Sequence, residues 1–134
     1  MENFVLSCCS TADLSLEHFQ NRNIHYICFH YELNGTVYPD DLGQSMPFDV
    51  FYEAMTKGAE TKTFQVNVAE FEAYFESFLK EGKDILHLCL SSGITGVMNS
   101  ANIAKDILAE KYPDITPDEM KSALIKCSGQ NGLI

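Results

Sequence analysis

An apolar run near residue 90 ends in a loop of glycines and small hydroxyl residues, and a helical pattern begins directly after that loop. The apolar run is 86–90, the loop is 91–96, and apolar residues then recur at three- and four-residue spacing to residue 108. This order predicts a buried strand that leads through a tight turn into a helix. A chain that repeats the arrangement is expected to build a parallel sheet covered by helices.

The rest of the chain alternates between strands and helices in the same way. Strands are predicted at 4–8, 24–31 and 84–90, and helices near 14–19 and at 47–55, 68–79, 97–111 and 120–126. Asn34-Gly35 predicts a hairpin turn, 61–66 is predicted to be a polar connection, and Asn67 and the capping box at 116–119 are predicted helix starts. We therefore expect an α/β domain, a three-layer α/β/α arrangement with a mainly parallel sheet and a small β-hairpin.

Length and charge narrow the class of protein. A chain of 134 residues is expected to form one domain, residues 1–134, that buries a core without disulfide bonds. A net charge of −10 with no basic cluster argues against nucleic acid and anionic membranes as partners. It also means that local hydrogen-bond donors must hold any anionic ligand. No apolar run approaches the roughly 20 residues that span a bilayer, and no signal peptide is recognised, so a cytoplasmic location is expected.

The cysteines and histidines show no metal-binding spacing. The cysteine count is odd and no C-x-x-C pair occurs, which predicts reduced, buried thiols and a cytoplasmic setting, without a zinc site or any other metal. His87 falls on a predicted strand, where a hydrogen-bonded ring nitrogen is expected. The residues concerned are Cys8, Cys9, Cys28, Cys89, Cys127, His18, His25, His30 and His87.

The 91–96 loop has the composition of an anion site. Ser91, Ser92 and Thr95 offer hydroxyl donors, Gly93 and Gly96 let a ligand approach the backbone, and the amides at a helix start favour negative charge. The loop therefore predicts a site for a carboxylate or a phosphate. An alternative is that the hydroxyls only cap the following helix. Polar loops at 10–11 and 61–67 are expected on the same edge of the sheet, where the parallel strands end.

Several short motifs follow one another along the chain. They are Cys9-Ser10-Thr11-Ala12-Asp13-Leu14, Asn34-Gly35-Thr36-Val37-Tyr38-Pro39-Asp40-Asp41, Phe51-Tyr52-Glu53, Lys62-Thr63-Phe64-Gln65-Val66-Asn67, and Ser91-Ser92-Gly93-Ile94-Thr95-Gly96-Val97 with Asn99-Ser100-Ala101. In this order they resemble the motifs of the DegV family of bacterial fatty-acid-binding proteins. The resemblance covers about residues 3–112, whereas 113–134 diverge.

The resemblance implies a function and a set of site residues. Family members hold a fatty acid between an N-terminal α/β domain, which this chain resembles, and a second domain that the chain lacks. It implies that Thr63 and Thr95 bind the carboxylate with the help of Ser91, Ser92, Gly93 and Gly96. Ser10, Thr11 and Phe64 are then candidate pocket residues. The implied role is that of a carrier without catalysis or cofactor, which binds a long-chain fatty acid and presents it to a fatty acid kinase.

The chain also departs from the family motifs. Cys9 replaces an Asp, Phe64 replaces a Ser, and Val66-Asn67 replaces Pro-Ser, while the family's next strand is not recognised after Tyr112. Two other functions therefore stay open. One is a phosphate-binding enzyme domain that uses the same loop. The other is an interaction protein that binds no lipid and forms a homodimer through the face left exposed by the missing domain.

Overall fold

The computed structural model describes residues 4–114 and the backbone of residues 124–126. The strands are β1 (Phe4–Cys9), β2 (His25–Ile27), β3 (His30–Leu33), β4 (Thr36–Pro39), β5 (Thr61–Phe64), β6 (Asp84–Cys89) and β7 (Leu124–Lys126). The helices are α1 (Leu16–Asn21), α2 (Phe48–Thr56), α3 (Val68–Leu79) and α4 (Val97–Lys111), and Ser10–Ala12 form a 3₁₀ turn. None of the helices within these described residues has the length and apolar character that crossing a membrane requires.

Two sheets organise the chain. The first, sheet A, has the order β2-β1-β6-β7 with every pair parallel, and the second, sheet B, has the order β4-β3-β5 with every pair antiparallel. Helices cover both faces of sheet A, since α3 and α4 share one hydrophobic cluster with its strands and α1 shares another. This arrangement confirms the predicted α/β class, the mainly parallel sheet and the hairpin, which turns at Asn34-Gly35 with positive φ at both residues.

The side chains of β1 and β6 alternate between the two clusters. Val5 and Ile85 are buried towards α3 and α4, whereas Cys8 and Leu88 pack with Phe19 of α1. The period of two places every second residue of each strand on the same face. Both faces bury mainly apolar side chains because both are covered, as is usual in parallel sheets, and Ser7 and His87 are buried polar exceptions towards α3.

The predicted strand 24–31 is wrong as a single strand. The chain leaves sheet A after Ile27 and enters sheet B at His30. Between them, the Phe29 N–H donates to Ser10 Oγ at 3.0 Å and the Phe29 carbonyl accepts from Asp40 N–H at 2.8 Å. Both backbone groups of Phe29 are therefore satisfied outside the ladder of either sheet.

Two other element predictions also need correction. The segment predicted as a polar connection contains β5, whose residues are all exposed, so no buried side gives the alternation that identifies a strand. The helix predicted at 120–126 is wrong for Leu124–Lys126, which pair with His87–Cys89 as a parallel strand. Pairing along an available sheet edge outweighs the local helix signal there. Residues 120–123 and the predicted capping box at 116–119 lie outside the described residues.

Candidate functional site

The 91–96 loop folds largely on itself. The Ser91 carbonyl accepts from Ile94 N–H at 2.9 Å and from Thr95 N–H at 3.3 Å, and Ser91 Oγ accepts from Gly93 N–H at 3.2 Å. Helix α4 then begins at Val97, with Gly96 as a residue that offers no side-chain cap. The alternative that a loop hydroxyl caps the helix stays open for Thr95, whose Oγ1 accepts a hydrogen bond from the first amide of α4. Ser92 and Ile94 are exposed at the tip of the loop.

A hydrogen bond joins this loop to the segment after β5. Thr95 Oγ1 donates to Gln65 Oε1 at 2.9 Å and accepts from the Val97 N–H at 3.4 Å. A Cβ atom added at Gly96 would lie 3.3 Å from Gln65 Nε2, so the glycine makes room for the amide. Val66 is completely buried and anchors the segment against the core. Gln65 lies in the 62–67 motif, but the sequence alone predicts no role for it, because its partner is 30 residues away.

Thr63 lines a separate cavity of about 250 Å³ between sheet B, α2 and the 3₁₀ turn. Most of the lining is apolar: Phe29, Tyr31, Pro39, Met46, Phe48, Phe51 and Tyr52 contribute to it. Thr11 also lines the cavity, and its Oγ1 is, among the described residues, a buried side-chain atom without a hydrogen-bond partner. A buried hydroxyl without a partner is costly unless a ligand or water satisfies it.

Three carboxylates also line this cavity, those of Asp13, Asp40 and Asp41. Burial alone would raise the pKa of Asp41, but hydrogen bonds from the Ser45 hydroxyl and N–H outweigh this effect and hold the pKa below its usual range. The carboxylate is therefore ionised at neutral pH. An anionic head group would be repelled inside the cavity, which suits the uncharged part of a ligand better.

The structure brings only some of the predicted site residues together. Thr63 and Thr11 meet in the cavity, and the 91–96 loop lies outside its lining. The Ser10 hydroxyl is buried, donates to Asp40 Oδ2 at 2.9 Å and accepts from Phe29 N–H, so it supports the turn between the two sheets. Phe64 is exposed at the end of β5 beside Gln65.

A second group of polar side chains is buried under α3. Tyr74 Oη lies 2.6 Å from Ser7 Oγ, which lies 2.9 Å from His87 Nδ1, and His87 Nε2 lies 3.7 Å from Cys9 Sγ. A hydrogen bond from Cys9 and the nearby imidazole hold the pKa of Cys89 below its usual range, against the effect of burial. The expected hydrogen bond on a His87 ring nitrogen is present. The grouping of the two thiols with it was not predicted, since it joins strands 78 residues apart.

Comparison with known proteins identifies close relatives of the chain. It is 33% identical over 134 residues to a DegV domain-containing protein of Clostridium perfringens, covering all of this chain and 46% of the relative. A stearic-acid-binding protein of Eubacterium ventriosum superposes with a TM-score of 0.73 at 26% identity, over 83% of this chain and 38% of that one. The fatty acid kinase B3 protein of Streptococcus pneumoniae, loaded with linoleic acid, shares the fold with a TM-score of 0.60 at 22% identity, over 87% of this chain and 40% of that one.

The chain thus spans about half the length of the curated relative that it matches. The model of the family described as "Uncharacterised protein, DegV family" matches residues 9–124, which extends beyond the 3–112 of the motif resemblance into β7. Because this match covers most of the chain and the ordered motifs lie inside it, the chain belongs to the DegV family.

Proposed function

We propose that this chain binds the carboxylate of a long-chain fatty acid between Thr63 and Thr95, with Ser91, Ser92 and the backbone of the 91–96 loop around it. The observation that carries the proposal is the Thr95–Gln65 hydrogen bond. It joins the loop before α4 to the segment that follows Thr63, in a chain of the DegV family. Hydroxyl donors and the amides at the start of a helix are suited to a single negative charge.

Carboxylate binding requires an exchange of partners at Thr95. The hydroxyl that now donates to Gln65 Oε1 would donate to the carboxylate. The Gln65 amide carries an NH₂ group as well, and a half-turn of this amide would direct that donor to the head group. One neutral hydrogen bond is then replaced by charge-assisted ones, which are stronger.

The cavity beside Thr63 supports binding of the acyl chain. Its aromatic lining is suited to methylene groups, and its carboxylates direct the head group out towards Thr63 and the loop. Its volume of about 250 Å³ is below the roughly 300–1,000 Å³ of pockets that enclose a complete ligand. The remainder of a long acyl chain would extend across apolar surface that includes Phe64 and Ile94.

A phosphate ligand is less well supported. The 91–96 loop contains no Lys or Arg, none lines the cavity among the residues that the structure describes, and the net charge is −10. A phosphate carries a charge of about −1.5 to −2 at neutral pH, so it would need more compensation than the carboxylate does. The phosphate-binding enzyme domain is therefore the second candidate.

The proposed role is that of a carrier that presents the acyl carboxylate to a fatty acid kinase in the cytoplasm, where the free thiols of Cys8, Cys9, Cys28 and Cys89 would stay reduced. Apolar side chains of α2 are exposed, with Phe48 59% and Tyr52 64% accessible. A second domain or a second copy of the chain in a homodimer would cover such a surface.

The test compares two threonine-to-valine variants with a matched control. We expect Thr63→Val and Thr95→Val each to weaken oleate binding about 10- to 150-fold, which corresponds to about 1.5–3 kcal/mol for a lost bond to a charged group. Thr61 lies on the same face of β5 as Thr63 but outside the cavity. The Thr61→Val variant should therefore bind oleate as tightly as the wild type. Titration with oleate measures the affinity of each protein, and mass spectrometry of extracted lipid identifies what each protein carries.

Unchanged oleate affinity in both threonine variants would overturn the proposed head-group site. Thermal stabilisation by nucleotides or sugar phosphates, without any response to oleate, would favour the phosphate-binding alternative. Failure to bind either ligand, together with self-association in analytical ultracentrifugation, would favour the interaction protein.

A further inference from the structure

Two thiols and one imidazole meet on the face of sheet A that α3 covers. The register that pairs Cys8 with Leu88 places Cys9 beside Cys89, and His87 lies on the same face two residues earlier. One donor atom from each of the three residues lies within 4.8 Å of the others, and the residues are at most 3% exposed. This cluster lies outside the proposed fatty-acid site.

We propose that Cys9, His87 and Cys89 bind one zinc ion, which fastens the carboxyl ends of β1 and β6 to each other. The distances suit this metal. Ligand bonds of about 2.3 Å for sulfur and 2.0 Å for nitrogen in a tetrahedral site put the two donor atoms about 3.5 Å apart. Cys9 Sγ and His87 Nε2 are 3.7 Å apart, so this edge of the site is already formed.

The surroundings of His87 orient the ring for this role. Nδ1 is 2.9 Å from Ser7 Oγ, and when Nδ1 donates to this hydroxyl, Nε2 presents its lone pair towards the sulfur atoms. Ser7 can pass its own hydrogen on to Tyr74 Oη, 2.6 Å away. The rings of Phe71 and Phe75 contact the imidazole edge-on at 5.5 and 5.3 Å between centroids. Such outer contacts fix both the tautomer and the orientation of a metal-binding histidine.

Charge and ligand type point to zinc in particular. Two thiolates and a neutral imidazole around Zn²⁺ give a group without net charge, which is the form that tolerates burial. Sulfur and nitrogen donors select zinc over Mg²⁺ and Ca²⁺, which prefer oxygen. Three protein ligands would leave the fourth position of a tetrahedral site to one buried water molecule.

The experiment measures metal in the complete chain and in three cysteine variants. Wild-type protein refolded with zinc under reducing conditions should retain one equivalent after gel filtration, and Co²⁺ in its place should give thiolate-to-metal absorption. Cys9→Ser and Cys89→Ser should lose both signals. The matched control is Cys8→Ser, because Cys8 is equally a buried thiol next in sequence but faces α1. It should retain both signals.

A second measurement on unaltered protein keeps the test decisive if a variant does not fold. Zinc should slow the alkylation of Cys9 and Cys89, mapped by mass spectrometry, while half-buried Cys28 reacts at the same rate with and without the metal. Less than stoichiometric zinc in the wild type, an unchanged Co²⁺ spectrum in Cys89→Ser, or a Cys9–Cys89 disulfide that forms in place of metal binding would each overturn the proposal. None of these results bears on fatty-acid binding at Thr63 and Thr95.

Discussion

Asn67 starts α3 with two reciprocal hydrogen bonds. Its side chain accepts from Glu70 N–H at 2.9 Å, and the Glu70 carboxylate accepts from Asn67 N–H at 2.9 Å. We expect Asn67→Ala to lower the free energy of unfolding by about 1 kcal/mol, because an amide of the first turn loses its acceptor. Asn67→Asp keeps the acceptor, so its free energy of unfolding should stay near that of the wild type. Urea titration of both variants measures this free energy. Equal losses in both variants would contradict a capping role.

Single residues were predictable from sequence where their partners are close along the chain. Asn67 is predictable as a cap because its side chain accepts from an amide only three residues later in the chain, that of Glu70. The Thr95–Gln65 contact and the Cys9–His87–Cys89 cluster were not, since both depend on strand register and loop packing. A histidine and a cysteine spaced by one residue become a potential metal site only when a neighbouring strand adds another thiol.

Helices α3 and α4 are linked by a charged contact. The Glu76 carboxylate accepts from Lys111 Nζ at 2.6 Å and from Tyr112 Oη at 2.7 Å. These two hydrogen bonds lower the pKa of Glu76 from its ordinary 4.5 to about 2. A lowered pKa in the folded state means that this stabilisation is complete above the ordinary value and is lost as the pH falls towards 2.

We therefore expect the stability difference between wild type and Glu76→Gln to be constant near neutral pH and to disappear between about pH 4.5 and pH 2. Chemical denaturation at a series of pH values measures it. Glu72→Gln is the control, since Glu72 makes only a longer contact with Lys111, at 3.8 Å. Its difference from wild type should be smaller across the same range. A Glu76→Gln difference that persists unchanged at pH 2 would show that the stabilisation does not come from ionisation of the carboxylate.

Whole elements were predicted well where one face is buried. The strands at 4–8 and 84–90 and the helix at 97–111 match β1, β6 and α4 closely, because their buried residues repeat at the period of the element. The exposed strand β5 offers no such pattern. Strand β7 forms where the edge of β6 provides hydrogen-bond partners, which a local helix signal does not register.

At the scale of the molecule, sheet A carries the two buried clusters, and sheet B with α2 lines the cavity. The sequence predicts the parallel sheet and the family, and the ordered motifs indicate which loops carry the candidate site residues. It does not predict that the hydroxyl residues divide between a cavity beside Thr63 and a separate loop at Thr95, because this division follows from the passage of the chain between the sheets at Cys28 and Phe29. The chain matches 46% of the length of its curated relative from Clostridium perfringens.

The net charge of −10 gives a prediction for the whole chain. The acidic field opposes an approaching carboxylate, and salt shortens its range from about 30 Å at 0.01 M to about 10 Å at 0.1 M. We expect affinity for decanoate to rise severalfold from the lower to the higher salt concentration, because in the proposed site hydroxyl and amide donors would hold the head group at short range, where screening is weak. Decanol carries no charge and serves as the control for the effect of salt on apolar contacts. Calorimetric titration of both ligands below their aggregation limits measures the difference. A decanoate affinity that falls with salt relative to decanol would mean that cationic side chains hold the head group, which would exclude the site at Thr63 and Thr95.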